Sequence, residues 1–212
     1  MLKVGLTGGV ASGKSAVARL LAARGAAVRD ADRVVEELYR CGAPGAAAVA
    51  GLFGRTALAP DGSVDRGRLA DLVLADPDRR RALEAAIHPL VRAELVRWTG
   101  SLEGVEPAPA VAVVEAALLV ETGAWRAYHR LVVVTAPAEL RRARAVAAGW
   151  PAERVDRVIA AQLGEAERAA AADYLIRNDG DPAALASRVG ELWPRLLDDA
   201  AALRRGEPLE HR

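Results

Sequence analysis

The chain has 212 residues, 52% hydrophobic and 27% charged, which is enough to bury one substantial core with an insertion and short for two independent domains. Its 29 basic residues balance 28 acidic ones to a net charge of +1, so no general attraction to nucleic acid or to an anionic membrane is expected, and any phosphate binding has to be local. A single cysteine, Cys41, excludes an internal disulfide and suits a reducing cytosol.

The opening "MLKVGLTGG" is broken by a lysine and by loop glycines, unlike a signal peptide, and the longest apolar run, "PAVAVVEAALLV", is too short to cross a bilayer. A cytoplasmic protein is expected. Residues 3–7, "KVGLT", form a short apolar run, and "SAVARLLAAR" beyond the glycines has apolar positions at helical spacing: strand, loop, helix. Gly25 ends that helix, "AAVRDAD" reads as a second strand and "RVVEELYR" as a second helix. Residues 42–63 are rich in glycine and proline, with "PDG" a turn, and the alternation of strand and helix pauses. Three helices are expected next: "DRGRLADLVLAD", then "DPDRRRALEAAI" with Asp76 as cap and Pro77 in first position, then "HPLVRAELVRW" opened by Pro89. No strand interrupts them, so the segment reads as a helical insertion.

The alternation resumes with "AVAVVEAALLV", whose unbroken apolar run suits a strand buried on both faces, and continues with "RLVVVTA". Pro137 opens the helix "AELRRARAVAAG", and "ERVDRVIAAQLGEAERAAAA" is charged and helical. "DYLIRNDG" is a last short strand with a turn, and "DPAALASRVGELWPRLLDDAAALRR" closes the chain as a helix interrupted at Pro194. Strands alternating with helices predict an α/β fold with a doubly wound parallel sheet, whose ligands bind at the carboxyl ends of the strands.

Gly8, four residues, then Gly13, Lys14 and Ser15 match the phosphate-binding pattern G-x-x-x-x-G-K-[ST], placed after a strand and at the start of a helix as its chemistry requires. Small residues (Gly8, Gly9, Ala11, Ser12, Gly13) let successive backbone N–H groups turn inward as an anion nest, and the helix through Ala16 adds its positive end. Lys14 can reach the outer phosphates and the Ser15 hydroxyl can ligate Mg²⁺, so a nucleoside triphosphate is the expected ligand. A GTP switch is disfavoured, because no aspartate is followed three residues later by glycine, and the only asparagine, Asn178, stands before Asp179 and Gly180. Asp30 and Asp32 of "VRDAD" share one face if that segment is extended. A carboxylate there can accept the proton of an attacking hydroxyl; alternatively, Asp32 caps the helix that follows.

With the loop and "DAD" in hand, the chain resembles the dephospho-CoA kinase family over most of its length. "GLTGGVASGKS" is similar to that family's loop, "DADRVVEEL" to its second-strand acid and next helix, "VDRGRLADLVLADPDRRRALEAAIHPLVRAEL" to its acceptor-binding helices, and "ADYLIRNDG" to its closing motif. The resemblance implies a single P-loop NTPase-type kinase domain: core about 1–41, 105–145 and 173–205, helical substrate-binding insertion about 60–104, helical lid about 146–172. It implies transfer of the ATP γ-phosphoryl to the ribose 3′-hydroxyl of dephospho-CoA, with Mg²⁺ as cofactor. Asp32 is then the base, Lys14 the charge stabiliser, and Asn178 with Gly180 part of the adenine wall. Thr7, Asp32, Arg66, His88, Arg92 and Glu121 are the expected substrate-binding residues, and Ser15 and Glu115 the metal-binding ones. Small-molecule partners and a monomer or weak homo-oligomer are expected.

Three positions depart from the family pattern: Glu115 stands where an aspartate is usual, Ala117 where a proline is, and Ala147 where a second lid arginine is expected. Arg144, one helical turn before Ala147, is the expected substitute for the phosphoryl clamp, with Arg142 as the alternative. Two rival readings are another P-loop kinase acting on a nucleotide or small metabolite, and a nucleotide-binding regulator without turnover.

Overall fold

Five strands form one sheet in the computed structural model, which describes residues 1–74 and 76–209. They are β1 (Leu2–Gly8), β2 (Ala27–Asp30), β3 (Val111–Glu115), β4 (Arg130–Thr135) and β5 (Tyr174–Arg177), in the order β2-β3-β1-β4-β5. β1 runs parallel to both β3 and β4, with Leu6 opposite Glu115 and Val132, and β4 runs parallel to β5. All residues of β3 and β4 are buried, which is why their valines show no polar alternation. The two faces can still be told apart along β4. Val132 and Val134 pack with Leu6, Val17, Leu21, Val189 and Leu196, while Leu131 and Val133 pack with Leu119, Trp125 and Tyr128.

The helices are α1 (Lys14–Ala22), α2 (Ala31–Leu38), α3 (Pro44–Phe53), α4 (Arg66–Leu74), α5 (Pro77–Leu102), α6 (Ala138–Ala147), α7 (Ala152–Ala161), α8 (Glu165–Ala170) and α9 (Pro182–Arg204). None of them is long and apolar enough to cross a membrane. The chain divides into two compact units, Met1–Arg29 with Glu103–Arg212, and Asp30–Leu102. The second unit begins well before the expected 60–104 insertion. It has its own core of Ala46, Val49, Ala57, Val64, Leu69 and Ile87.

Several expectations give way. The stretch read as a pause contains α3, whose alanines and glycine permit close packing: a Cβ on Gly45 would come within 2.6 Å of the Leu38 carbonyl oxygen. Its "PDG" turn does form, with Asp61 Oδ1 accepting from the Ser63 amide at 2.9 Å. Pro89 does not open a helix but lies inside α5, and Pro194 does not interrupt α9. Both prolines are exposed, so their rings project into solvent and each helix runs on past the one backbone bond it loses. The long charged helix after residue 152 is two, α7 and α8, parted at Gln162–Gly164.

A buried polar knot fastens α9 to the sheet. Arg130, at the start of β4, donates from Nε to Asp199 Oδ2 at 2.8 Å and from Nη2 to Oδ1 at 3.1 Å, and the Tyr174 hydroxyl donates to the same carboxylate at 2.6 Å. Removing one partner of such a pair strands a charge in a low dielectric. Asp199→Ala is expected to cost about 3 kcal/mol in a denaturant melt, whereas Tyr174→Phe, which removes one neutral donor, should cost about 1 kcal/mol. Equal, small losses would mean that solvent reaches the knot.

Candidate active site

The loop after β1 is held from several sides. Gly13 opens α1 with φ of 98°, a left-handed conformation that suits glycine, and no side chain caps the helix there. A Cβ at Gly13 would also run into the Asn178 amide nitrogen. The start of a helix leaves first-turn N–H groups from which an anion can accept; here the Ala16 and Val17 N–H groups both donate to the Gly13 carbonyl, at 3.0 and 3.1 Å. Ala11 also has a positive φ, 54°, which turns the loop back on itself. Lys14 extends its Nζ across the loop, donating to the carbonyls of Gly8 at 3.0 Å and Gly9 at 3.2 Å, so its charge is held over the nest. Ser12 is fully buried and Ala16 partly so.

Ser15 and Glu115 are brought together as a pair: the Ser15 hydroxyl donates to Glu115 Oε1 at 2.7 Å. β3 lies beside β1 and ends at Glu115, which puts the carboxylate at the carboxyl edge next to the loop. Among the described residues no group of three or more histidine, cysteine or acidic side chains could hold a metal ion on its own. A hydroxyl and one carboxylate are hard oxygen donors, suited to an ion that takes its other ligands from phosphate and water.

Asn178 lies at the loop's other side, just past β5, and is buried. Its Nδ2 donates to the Ser12 carbonyl at 2.8 Å, and its own N–H donates to the Thr135 carbonyl at 2.7 Å. Gly180 stands two residues beyond, before α9, where a Cβ would meet that of Ala184 at 3.2 Å. Arg144 reaches this asparagine and not the phosphate side: Nη1 donates to the Asn178 carbonyl at 3.0 Å, and Nη2 is 3.4 Å from its Oδ1. In this structure the expected clamp residue Arg144 braces Asn178. Arg142, the alternative, is exposed and forms a forked pair with Asp156 of α7 at 2.7 and 3.1 Å.

Two residues that the pattern of motifs left unassigned reach the front of the loop. Gln162, which closes α7, accepts from the Val10 N–H at 2.9 Å through Oε1. Arg141 folds back from α6, donates from Nε to the Ala136 carbonyl at 3.1 Å, and lays its Nη1 so close over Gly9 that a Cβ there would collide with it. Burial pushes the Arg141 guanidinium below its usual range; Glu165 pulls it partly back up, and neighbouring Arg168 lowers it further. The one sequence signal for Gln162 is its being the sole glutamine.

The expected substrate contacts fall into two groups. Thr7 is fully buried and its hydroxyl donates to the Ala117 carbonyl at 3.2 Å, so it joins the end of β1 to the turn after β3 and has no surface for substrate. Glu121 is paired with Arg168 of α8 at 2.8 Å, which ties the segment after β3 to the expected lid. Asp32, Arg66, His88 and Arg92 all belong to the second unit. Asp32 is exposed and lies in the first turn of α2, not in an extended strand. The cap is Asp30, whose Oδ1 accepts from the Asp32 N–H at 2.8 Å. Capping therefore does not account for Asp32. His88 and Arg92 are exposed and four residues apart on α5, hence on one face. Arg66 opens α4 and pairs with Glu36 at 3.1 Å.

A parallel sheet with an uncapped glycine loop at the carboxyl end of its central strand, a lysine held across that loop and a serine–carboxylate pair beside it defines a P-loop NTPase-type fold. Within that class the chain belongs to the dephospho-CoA kinase family, whose sequence model matches residues 2–183. A dephospho-CoA kinase of Streptomyces avermitilis is 43% identical over 94% of this chain and 96% of its own length. One from Methylococcus capsulatus is 43% identical over 95% of this chain and all of its own length. Among solved structures, a protein from Thermus thermophilus superposes with a TM-score of 0.79 at 33% identity, covering 92% of this chain and 96% of that one. The dephospho-CoA kinase of Campylobacter jejuni shares the fold with a TM-score of 0.60 at 20% identity, covering 92% and 96%.

Proposed function

We propose that the chain phosphorylates the ribose 3′-hydroxyl of dephospho-CoA with ATP, giving coenzyme A and ADP. The match of residues 2–183 to the dephospho-CoA kinase family carries this reading. In the step, the bond from the γ-phosphorus to the β,γ-bridging oxygen breaks and a bond to the 3′-oxygen forms. The hydroxyl proton passes to the Asp32 carboxylate, and ADP leaves with the bridging oxygen. Lys14 and the loop amides neutralise charge on the β- and γ-phosphates. Asn178 and Gly180, on the far side of the loop, are assigned to the adenine end of the nucleotide.

Ser15 and Glu115 are the residues that would hold Mg²⁺, and their 2.7 Å contact is of a kind that a shared hydrated ion can exploit. Bound there with ATP, the ion supplies charge neutralisation at the phosphates. Glu115 reaches one methylene further than the usual aspartate, which suits contact through a water.

The second unit is assigned to the acceptor, with Arg66, His88 and Arg92 as its polar contacts, and residues 146–172 to a lid. A monomer or weak homo-oligomer in the cytoplasm completes the reading; the exposed, lone Cys41 is compatible with a reducing compartment. The test is ADP release with dephospho-CoA, set against nucleoside monophosphates as acceptors. His88→Ala and Arg92→Ala are expected to raise KM for dephospho-CoA about tenfold, the loss of one charged contact, while KM for ATP stays within about twofold. The reverse pattern would move the acceptor off α5.

A further inference from the structure

The three arginines of α6 have different fates, and one of them is unexplained by packing. Arg142 is tied to Asp156, and Arg144 braces Asn178. Arg141 is 7% exposed, yet its Nη1 is a buried donor with no hydrogen-bond partner among the described residues. An orphan N–H on a buried cation costs free energy, which Glu165 offsets in part through its charge and not through a hydrogen bond to Nη1. Among the roles that explain a retained orphan donor is the binding of an anion or a reacting group.

The place at which the orphan points identifies the anion's chemistry. Nη1 lies against Gly9, the first residue after Gly8 in the phosphate loop, where only a residue without a Cβ leaves room for the guanidinium. Lys14 Nζ contacts the carbonyl of the same Gly9 at 3.2 Å, so the two cations converge on one stretch of loop. Val10, the next residue, donates its N–H to Gln162 Oε1 at 2.9 Å, which brings a second polar side chain to the same stretch. Arg168, itself paired with Glu121 at 2.8 Å, and Glu165 act on the Arg141 guanidinium in opposite directions. Two cations converging on the phosphate loop fit the outermost phosphate of a bound nucleoside triphosphate, the group that carries the most charge and is transferred.

We propose that Arg141 is the arginine that contacts the transferred phosphoryl group, its Nη1–H donating to a non-bridging oxygen of the terminal phosphate held over Gly8–Ser15. Arg141 forms no covalent bond. Because the charge it meets is spread over the equatorial oxygens in the transition state, its contact tightens as the phosphoryl moves. The proposal rests on the kinase reading above, and it supplies an arginine in place of the one absent at Ala147 from six residues, about 1.7 turns, earlier on the same helix and from a different face of it.

The test separates a phosphoryl contact from a structural cation by comparing ligands that differ in one phosphate. Arg141→Gln and Arg141→Lys are made beside Arg142→Gln, with turnover on dephospho-CoA and binding of ADP and of adenylyl imidodiphosphate measured by titration calorimetry. Arg141→Gln should lower kcat about thirtyfold and weaken the imidodiphosphate about tenfold, with ADP binding changed by less than about twofold. Arg141→Lys, which keeps the charge without the fork, should recover part of both losses, and Arg142→Gln should resemble wild type. Unchanged kcat in Arg141→Gln, or equal weakening of ADP and the imidodiphosphate, would overturn the proposal. If the glutamine variant does not fold, the ratio of the two affinities in Arg141→Lys decides, and a wild-type ratio overturns it. A wild-type chain that releases no ADP with dephospho-CoA would instead remove the acceptor assignment and leave the nucleotide-binding comparison intact.

Discussion

Lys14→Ala is expected to lower turnover about a thousandfold while the protein folds normally. The lysine ammonium is held over the loop by the Gly8 and Gly9 carbonyls, at 3.0 and 3.2 Å, so its position is set before any nucleotide arrives. A preorganised donor at the site of developing charge contributes about 10²–10³ in rate, and a full cation lies at the upper end of that range. Stability should change little. Lys14 is only half-buried, it begins α1, and alanine is the better helix former. The measurement is a coupled ADP assay at saturating dephospho-CoA, with circular dichroism to confirm the helix content. Turnover near wild type would sink the assignment of the loop to the transferred phosphates.

Asp32→Asn is expected to cost about 10²–10³ in kcat with ATP affinity nearly unchanged, the loss that follows when a positioned base is removed. The sequence alone leaves a competing account, in which Asp32 is a helix cap. Under that account asparagine would be silent, since it caps as well as aspartate. The structure assigns the cap to Asp30 instead, through its 2.8 Å bond from the Asp32 N–H. The two neighbours should therefore separate cleanly. Asp30→Ala should lose about 1 kcal/mol of stability, and Asp32→Asn should lose turnover and little stability. Equal kcat for Asp32→Asn and wild type would exclude proton transfer to this carboxylate.

What the sequence made legible was local. The phosphate loop is eight consecutive residues between a strand and a helix, and each requirement of the nest is written within them. The valine runs of β3 and β4 gave the parallel sheet, because strands covered on both faces have no polar alternation to hide. The family match then fixed the activity.

The errors came from cues whose meaning depends on surroundings. Pro89 and Pro194 signal helix starts or breaks only where the ring would meet protein, and here both rings meet water. Residues 44–53 are poor in side chains that advertise a helix, and α3 forms because Ala46 and Val49 fill a core supplied by α4 and α5. "VRDAD" alternates like a strand, but Asp30 captures the Asp32 amide and turns the chain into α2 two residues early. Helical spacing puts Arg144 near the face of Ala147, but face says nothing of the partner, and Asn178 is 34 residues away. The orphan on Arg141 cannot be read from sequence at all, because it is defined by what burial leaves unmade.

The contact between Asn178 and the Ser12 carbonyl joins residues 166 positions apart. Loop closure over such a span is a late event in folding, since its entropy cost has to be met by contacts already formed between the two ends. β5 must therefore find β4 before Asn178 can support the loop, and Arg144 can brace Asn178 only after that. The loop between β1 and α1 is local in sequence, but one of its supports comes from the residue that follows the last strand of the sheet. A chain without β5 and the residues after it would therefore lack the Asn178 support that the loop has in the complete fold.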